Sequence, residues 1–160
     1  MSTSESGASD LVAIDPLGAA GLRRPSFVSG DPAGDRLRVR YFRRRSDDAL
    51  VVEAWFGPGA EGPPGHAHGG SIAAVLDEAM GVAVWLAGHK AVAAELVTSF
   101  RRLVPLDTTA GVETTVAGVA GRKVTVRARL HDATGETFAD AEGLFVLLGP
   151  ETMATLERMR

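Results

Sequence analysis

The sequence predicts an α+β fold in which an antiparallel sheet wraps against one long apolar helix. Residues 71–86 are apolar around nearly the whole circumference of a helix, which is typical of a helix enclosed by protein. Two strand-like segments precede this helix, and four follow it with short connections between them. Because short connections join neighbouring antiparallel strands, the whole sheet is predicted to be antiparallel.

The chain before the helix divides into an N-terminal extension and two strands. Residues 1–35 are predicted to form the extension, whose first ten residues are small and polar and are expected to be disordered. Prolines and glycines between residues 11 and 27 predict an irregular path. Alternating residues then predict strands at 36–45 and 49–56.

The chain after the helix is predicted to complete the sheet. Gly88 is the expected helix C-cap. The four strands that follow are predicted at 91–103, 108–117, 123–131 and 136–148. A hairpin turn at residues 133–135 joins the last two. The folded domain is therefore predicted at residues 36–149, and residues 150–160 are predicted to be a tail or a short helix.

Composition excludes several classes of function. The 160 residues suit one domain, and a net charge of −3 argues against a general nucleic-acid binder. The absence of cysteine excludes disulfides, thiolate catalysis and cysteine–zinc sites. We expect no membrane partner, because the apolar run is short and contains two acids, and the N-terminus lacks the features of a signal peptide. A cytoplasmic location is the expectation.

Two adjacent carboxylates, Asp77 and Glu78, interrupt the apolar helix. A buried carboxylate without a partner is costly, so it usually has a partner, a raised pKa or a function. Neighbouring helical residues point about 100° apart, so the two acids must occupy different environments. The alternative is that both lie on a narrow polar stripe of the helix.

The triplet His68-Gly69-Gly70 stands where this helix begins. The first N–H groups of a helix have no intrahelical partner, and glycine lets another group approach the backbone closely. Together with the helix dipole, such N–H groups stabilise a developing negative charge. With an acid further along the same helix, the arrangement suits attack on an acyl carbonyl.

These residues resemble a known family, the hotdog-fold acyl-CoA thioesterases. The HGG triplet, six further residues and then Asp77 are similar to the phenylacetate-pathway type and to the mammalian thioesterase superfamily members. Further motifs stand in the family's order over residues 36–149. GPPG precedes HAHGG, and after it come DEAMG, FRRLVP at residues 100–105 and Gly121-Arg122-Lys123. The resemblance implies the hotdog fold and hydrolysis of an acyl-CoA.

The resemblance also implies roles for the residues of the site. Asp77 would act as the nucleophile or as the general base for water, and the Gly69 N–H would polarise the thioester carbonyl. Gly70 would keep the turn open, and His68 would position the loop or hydrogen-bond near the thioester. Glu78 would have either a supporting or a structural role. No metal or organic cofactor is implied.

The resemblance implies further that the active site lies between two protomers, and hence a homodimer or a larger assembly such as a tetramer. Four basic residues match the family's contacts to coenzyme A, namely Arg101, Arg102, Arg122 and Lys123. Guanidinium groups suit phosphate oxygens geometrically. The alternative for each of the four is an exposed charge at a strand end.

Ala93 stands where the mammalian branch has a threonine that pairs with the aspartate. The nearest hydroxyls along the strand are those of Thr98 and Ser99. This difference keeps open a second interpretation, a non-catalytic module that binds acyl-CoA or an acyl carrier. A hotdog dehydratase is a third, although the spacing from HGG to Asp77 is more typical of thioesterases.

The sequence also contains residues of two other kinds of site, a metal site and a serine triad. His66 and His68 are half of a metal site that Asp77 or His89 would complete, but HxH in a glycine-rich loop is a weak signal. Ser71 with His68 and Asp77 resembles a serine triad only in composition, because GGSIA lacks the G-x-S-x-G pattern.

Overall fold

The computed structural model describes residues 10–19 and 26–159. Disorder is predicted for residues 1–10 and an irregular path for residues 11–27; of these segments, residues 1–9 and 20–25 lie outside the described residues. The elements in chain order are β1 (Leu11–Ile14), α1 (Pro16–Ala19), β2 (Leu37–Arg44), β3 (Leu50–Phe56), a 3₁₀ turn (Pro58–Ala60), α2 (Gly69–Leu86), β4 (Ala91–Phe100), β5 (Thr108–Ala120), β6 (Lys123–His131), β7 (Thr137–Leu147) and α3 (Pro150–Arg158).

The strands form one seven-stranded sheet in the order β1-β2-β3-β5-β6-β7-β4, and every neighbouring pair is antiparallel. This confirms the predicted α+β fold and the hotdog topology. The sheet has one strand more than the sequence predicted, because β1 lies in the segment expected to be irregular and pairs with the end of β2. A four-residue strand followed closely by Pro16 is too short for its alternation to be read from sequence.

Helix α2 packs against strands β3 to β7. Its buried side chains include Leu76 and Met80, which are fully enclosed, and each contributes about 1.5–3 kcal/mol through burial. At 18 residues the helix is longer than the predicted run, because Gly69 and Gly70 form its first turn. By length and composition alone α2 could cross a membrane, a test that core helices of other proteins also pass.

Strand β4 forms one edge of the sheet, with β7 on one side and no paired strand on the other within the described residues. A bulge at Ala94 interrupts its pairing. The strand is mostly exposed and includes the apolar residues Val97 and Phe100, which are 57% and 55% exposed. An edge strand with exposed apolar residues is a template for pairing with another chain.

Candidate active site

A cavity of about 780 Å³ lies between α2, the start of β4 and the N-terminal segments. Asp77 and Glu78 both line it, as does Ala93 on β4. The apolar side chains of its wall include Leu17, Phe27, Val28, Val82, Trp85 and Phe145. The helix therefore presents two carboxylates to a largely apolar cavity.

Asp77 is partly buried, and no hydrogen bond or ion pair to its carboxylate occurs within residues 10–19 and 26–159. Burial raises the pKa of Asp77 above the usual aspartate value, and the negative charge of Glu78 raises it further. A carboxylate without donors and with a raised pKa is a stronger base than an ordinary surface aspartate. Asp77 is thus free to accept a proton or to attack a carbonyl.

Glu78 differs from Asp77 because hydroxyl groups occupy both of its oxygens. Tyr41 on β2 donates to Oε1, and Ser26 donates to Oε2 at 2.5 Å. Burial raises the pKa of the Tyr41 hydroxyl, and its hydrogen bond to Glu78 raises it further. The sequence left the role of Glu78 open and did not indicate Ser26 or Tyr41 as its partners. These contacts give Glu78 a structural function, which is to join α2 to β2 and to the 26–30 segment.

His68 is the N-cap of α2. Its ring binds the N–H of one of the two glycines at the helix start, so only the other glycine N–H is without a partner among the described residues. Its Nδ1 accepts the N–H of Gly70 at 2.9 Å, which requires the neutral tautomer with hydrogen on Nε2. The N–H of Gly69 has no hydrogen-bond partner in the part of the chain that the structure describes. A side chain at Gly69 would approach Phe100, whose Cζ lies 3.3 Å from the ideal Cβ position. The exposed start of α2 therefore offers the Gly69 N–H to a ligand.

Within one chain, Gly69 and Asp77 are too far apart to act on the same carbonyl. They are eight residues apart on α2, which corresponds to about 12 Å along the helix. Gly69 lies beside Phe100 at the end of β4, whereas Asp77 shares its cavity with Ala93 near the start of that strand. Within one chain, the Gly69 N–H and the Asp77 carboxylate therefore lie near opposite ends of β4.

The four basic residues predicted to bind coenzyme A fall into two clusters at opposite ends of β7. Arg101 forms a bidentate pair with Asp140, with distances of 2.7 and 3.3 Å. At the other end Arg122 donates to the Leu147 carbonyl at 3.0 Å, and Lys123 follows it. Asp140 and Leu147 are seven residues apart on β7, or about 23 Å.

The second member of the first cluster, Arg102, is held by several contacts. It donates to Asp132 at 2.8 Å and to the Glu136 carbonyl, and its guanidinium lies 4.4 Å from the centre of the Phe138 ring. Asp132 also accepts from Thr134, and these bonds lower the pKa of the Asp132 carboxyl. The arginine cluster is therefore pre-positioned by the hairpin between β6 and β7.

The hydroxyls near Ala93 on the sequence do not reach Asp77. Thr98 is five residues along β4, or about 16 Å away, and its Oγ1 is buried and has no hydrogen-bond partner among the described residues. Within the described residues, the hydroxyl groups that reach a carboxylate of this pair belong to Ser26 and Tyr41, and both bind Glu78. No sequence signal identifies Ser26, whereas Tyr41 is the only tyrosine in the chain.

The other kinds of site gain no geometric support. Within the described ranges, no group of three His, Asp or Glu side chains is arranged to hold a metal ion. His66 Nδ1 is 2.9 Å from the Pro64 carbonyl. The Ser71 hydroxyl donates to the His68 carbonyl at 2.7 Å, so it serves the helix start and not the imidazole.

The sequence of this chain is similar to a known protein family and to individual proteins. Residues 64–139 match the family model described as the thioesterase superfamily. Human acyl-coenzyme A thioesterase THEM5 is 33% identical over 96 residues, which are 58% of this chain and 39% of that protein. Bovine acyl-coenzyme A thioesterase THEM4 is 32% identical over 130 residues, or 81% and 54% of the two chains. The chain thus spans about half or less of the length of these relatives.

Solved structures agree with the family model. A crystal structure of a thioesterase superfamily protein has a TM-score of 0.69 and 29% identity, and the match covers 84% of this chain and 66% of that one. A Bacillus halodurans protein, solved with CoA, has a TM-score of 0.57 and 28% identity, with 61% and 66% covered.

Proposed function

We propose that this chain is an acyl-CoA thioesterase, which hydrolyses the thioester to free CoA and a carboxylate, because residues 64–139 match the thioesterase superfamily model and the sheet and helix have the hotdog fold. The observation that carries the proposal is the Asp77 carboxylate, which has a raised pKa, lies in a largely apolar cavity and accepts no hydrogen bond from the described residues. Relatives named acyl-coenzyme A thioesterases and a related structure solved with CoA support the same reaction.

Asp77 supplies the basic oxygen for hydrolysis by one of two routes. As a general base it takes a proton from water while the water oxygen attacks the carbonyl carbon, and it returns the proton to the sulfur when the C–S bond breaks. As a nucleophile it attacks the carbonyl carbon and expels the CoA thiolate as the C–S bond breaks; water then hydrolyses the resulting mixed anhydride to the free acid and the Asp77 carboxylate, and the released proton neutralises the thiolate. In both routes the Gly69 N–H and the positive end of α2 stabilise the oxyanion.

A second copy of the chain completes the site. Antiparallel pairing of β4 with the β4 of another copy, about a two-fold axis, brings the Phe100 end of one strand beside the Ala91 end of the other. Gly69 of one copy then faces Asp77 of the other. The exposed apolar edge of β4 supports this pairing. A homodimer with two active sites is therefore the minimal assembly, and two such dimers would form a tetramer.

The same pairing unites the two basic clusters. Arg101 and Arg102 follow β4, whereas Arg122 contacts Leu147, which pairs with the first residue of β4. Across the two-fold axis, the arginine pair of one copy lies at the same end as Arg122 and Lys123 of the other. The phosphate groups of coenzyme A are the ligand chemistry that such a cluster suits.

Release of free thiol from a panel of acyl-CoAs tests the proposal, with the wild type and Asp77→Asn measured side by side. We expect hydrolysis by the wild type and a loss of most activity in Asp77→Asn, with the fold intact by circular dichroism. An Asp77→Asn variant with unchanged kcat/KM would refute the assigned role of Asp77.

One observation favours a second candidate function, a non-catalytic acyl-CoA binding module. Ala93 lines the cavity beside Asp77 and offers no hydroxyl to orient a water molecule. Under this interpretation the wild type binds acyl-CoA in calorimetry without turnover, and Ala93→Thr confers hydrolysis. Turnover by the wild type would exclude it.

A further inference from the structure

The cavity beside Asp77 has the size and chemistry of a hydrophobic ligand pocket. Its volume of about 780 Å³ lies in the range of pockets that enclose drug-sized molecules. Apart from Asp77, Glu78 and Lys90, its wall consists mainly of apolar side chains. If the acyl carbonyl lies at Asp77, as the proposed function requires, the acyl chain continues into this cavity.

The depth of the cavity depends on a glycine one turn beyond Asp77. Asp77, Gly81 and Trp85 are spaced by four residues and share one face of α2. Gly81 lines the cavity, and a Cβ there would lie 3.7 Å from Phe145 Cε1, an ordinary contact distance, so a methyl group fits and a larger side chain would take up cavity volume. The Trp85 indole N–H donates to the Ala91 carbonyl at 2.8 Å, which fixes the far wall.

The outer wall is the 26–30 segment, which carries Phe27 and Val28. The segment closes on itself, because the Gly30 N–H donates to the Ser26 carbonyl at 3.0 Å. The Ser26 hydroxyl donates to Glu78 at 2.5 Å and so fastens the segment to α2. Val28 is 7% exposed, whereas Phe27 is 89% exposed at the rim.

We propose that this cavity binds a bulky hydrophobic acyl group, that Gly81 sets its depth, and that Ser26 is a positioning residue that holds its outer wall through Glu78. The inference rests on the proposed function and narrows its substrate class. Straight-chain and aromatic acyl groups share the required chemistry, and the substrate panel distinguishes them.

The depth is tested by kcat/KM for acetyl-, octanoyl-, dodecanoyl- and phenylacetyl-CoA. We expect the wild type to prefer at least one of the bulky substrates over acetyl-CoA by at least about 10-fold. Gly81→Leu should abolish this preference while acetyl-CoA hydrolysis persists, and Gly81→Ala should reduce the preference less. Gly81→Ala also keeps the test decisive if the leucine variant does not fold, because alanine is a better helix former than glycine.

Ala83→Leu is the matched control, since Ala83 lies on α2 beside a different pocket. It should keep the wild-type preference. The inference would be overturned if the wild type hydrolysed acetyl-CoA and the bulky substrates with equal kcat/KM. It would also be overturned if Gly81→Leu changed kcat/KM for all substrates by the same factor.

The role of Ser26 is tested by the separation of KM from kcat. Ser26→Ala should raise KM for the preferred bulky substrate several-fold with little change in kcat, and Ser26→Thr should restore KM by retaining the hydroxyl. Ser46→Ala is the control, because the Ser46 hydroxyl makes a similar 2.7 Å bond to Asp10 away from the cavity. If Ser26→Ala leaves KM unchanged, or lowers kcat equally for every substrate, Ser26 does not position the wall.

A binding measurement separates this inference from the proposed function. Calorimetry with CoA and with the thioethers S-dodecyl-CoA and S-(2-phenylethyl)-CoA requires no hydrolysis. Tighter binding of either thioether than of CoA, lost in Gly81→Leu and retained in Ala83→Leu, supports the cavity even if no acyl-CoA is hydrolysed. Equal binding of CoA and both thioethers by the wild type contradicts it even if hydrolysis occurs.

Discussion

Replacement of Gly69 by proline removes the proposed oxyanion donor and little else. Gly69 is the first residue of α2, where proline is well tolerated because its fixed φ suits the helix. The preceding His68 has φ −65° and ψ 137°, the extended conformation that is favoured before proline. Because the Gly69 N–H has no partner in the described chain, the substitution breaks no hydrogen bond seen there.

The expected effect follows from the loss of one oxyanion donor. Removal of such a donor in other enzymes lowers kcat by about 10²- to 10³-fold, or about 3–4 kcal/mol of transition-state stabilisation. We expect a decrease of this order in Gly69→Pro, measured by thiol release, with a change of only a few degrees in the melting temperature. Gly69→Ala is the matched control, because it retains the N–H and its Cβ contacts only the exposed Phe100 ring.

The two variants together make the result decisive. A Gly69→Pro enzyme that is folded, dimeric and as active as Gly69→Ala would show that the Gly69 N–H does not stabilise the oxyanion. Equal losses in both variants would instead attribute the effect to crowding against Phe100. Only a selective loss in the proline variant agrees with the proposed role.

Three further predictions concern Asp77 and its neighbours. Subunit exchange between inactive Gly69→Pro and Asp77→Asn chains, mixed in equal amounts, should restore about a quarter of wild-type activity. About half of the dimers are then hybrids, and each hybrid has one intact site of two. If subunits exchange but activity does not return, Gly69 and Asp77 act within the site of the same copy. Because burial raises the pKa of Asp77, the ionised carboxylate destabilises the fold at pH values above that pKa. Asp77→Asn should therefore melt at a higher temperature than the wild type at pH 7, and this difference should vanish well below the usual aspartate pKa of about 3.9. The same difference in melting temperature at pH 7 and at the low pH would contradict this. Glu78→Gln removes a negative charge that raises the pKa of Asp77, so the acid limb of its kcat/KM–pH profile should move to lower pH, and a limb that stays or moves upward would show that this charge does not act on the catalytic group.

The main elements were predictable because their signals are local. The apolar run that became α2 and the alternation along β6 each lie within a single element. The position of β4 at the sheet edge has no local signal in the sequence, because it depends on the pairing of β4 with β7, a strand distant in the chain. That placement separates Arg101 from Arg122, which sequence alone treated as contacts to one ligand.

The spacing from HGG to Asp77 identified the functional helix but not which of its groups are free. Sequence suggested several open N–H groups at the start of α2, whereas the His68 ring occupies that of Gly70. It also gave no basis for separating Asp77 from Glu78, because the donors to Glu78 come from residues 37 and 52 positions away. Long-range hydrogen bonds of this kind leave no periodic pattern in a sequence.

The contrast between the two carboxylates explains how one apolar helix accommodates both. Their side chains point about 100° apart, so Glu78 reaches the hydroxyls of Tyr41 and Ser26 while Asp77 reaches none in the described chain. Two donors offset the burial of Glu78. Burial raises the pKa of Asp77, and the negative charge of the neighbouring Glu78 raises it further. The acid that stabilises the fold therefore also increases the basicity of the acid proposed to act on the thioester. This coupling gives a physical reason for placing the two carboxylates side by side on α2.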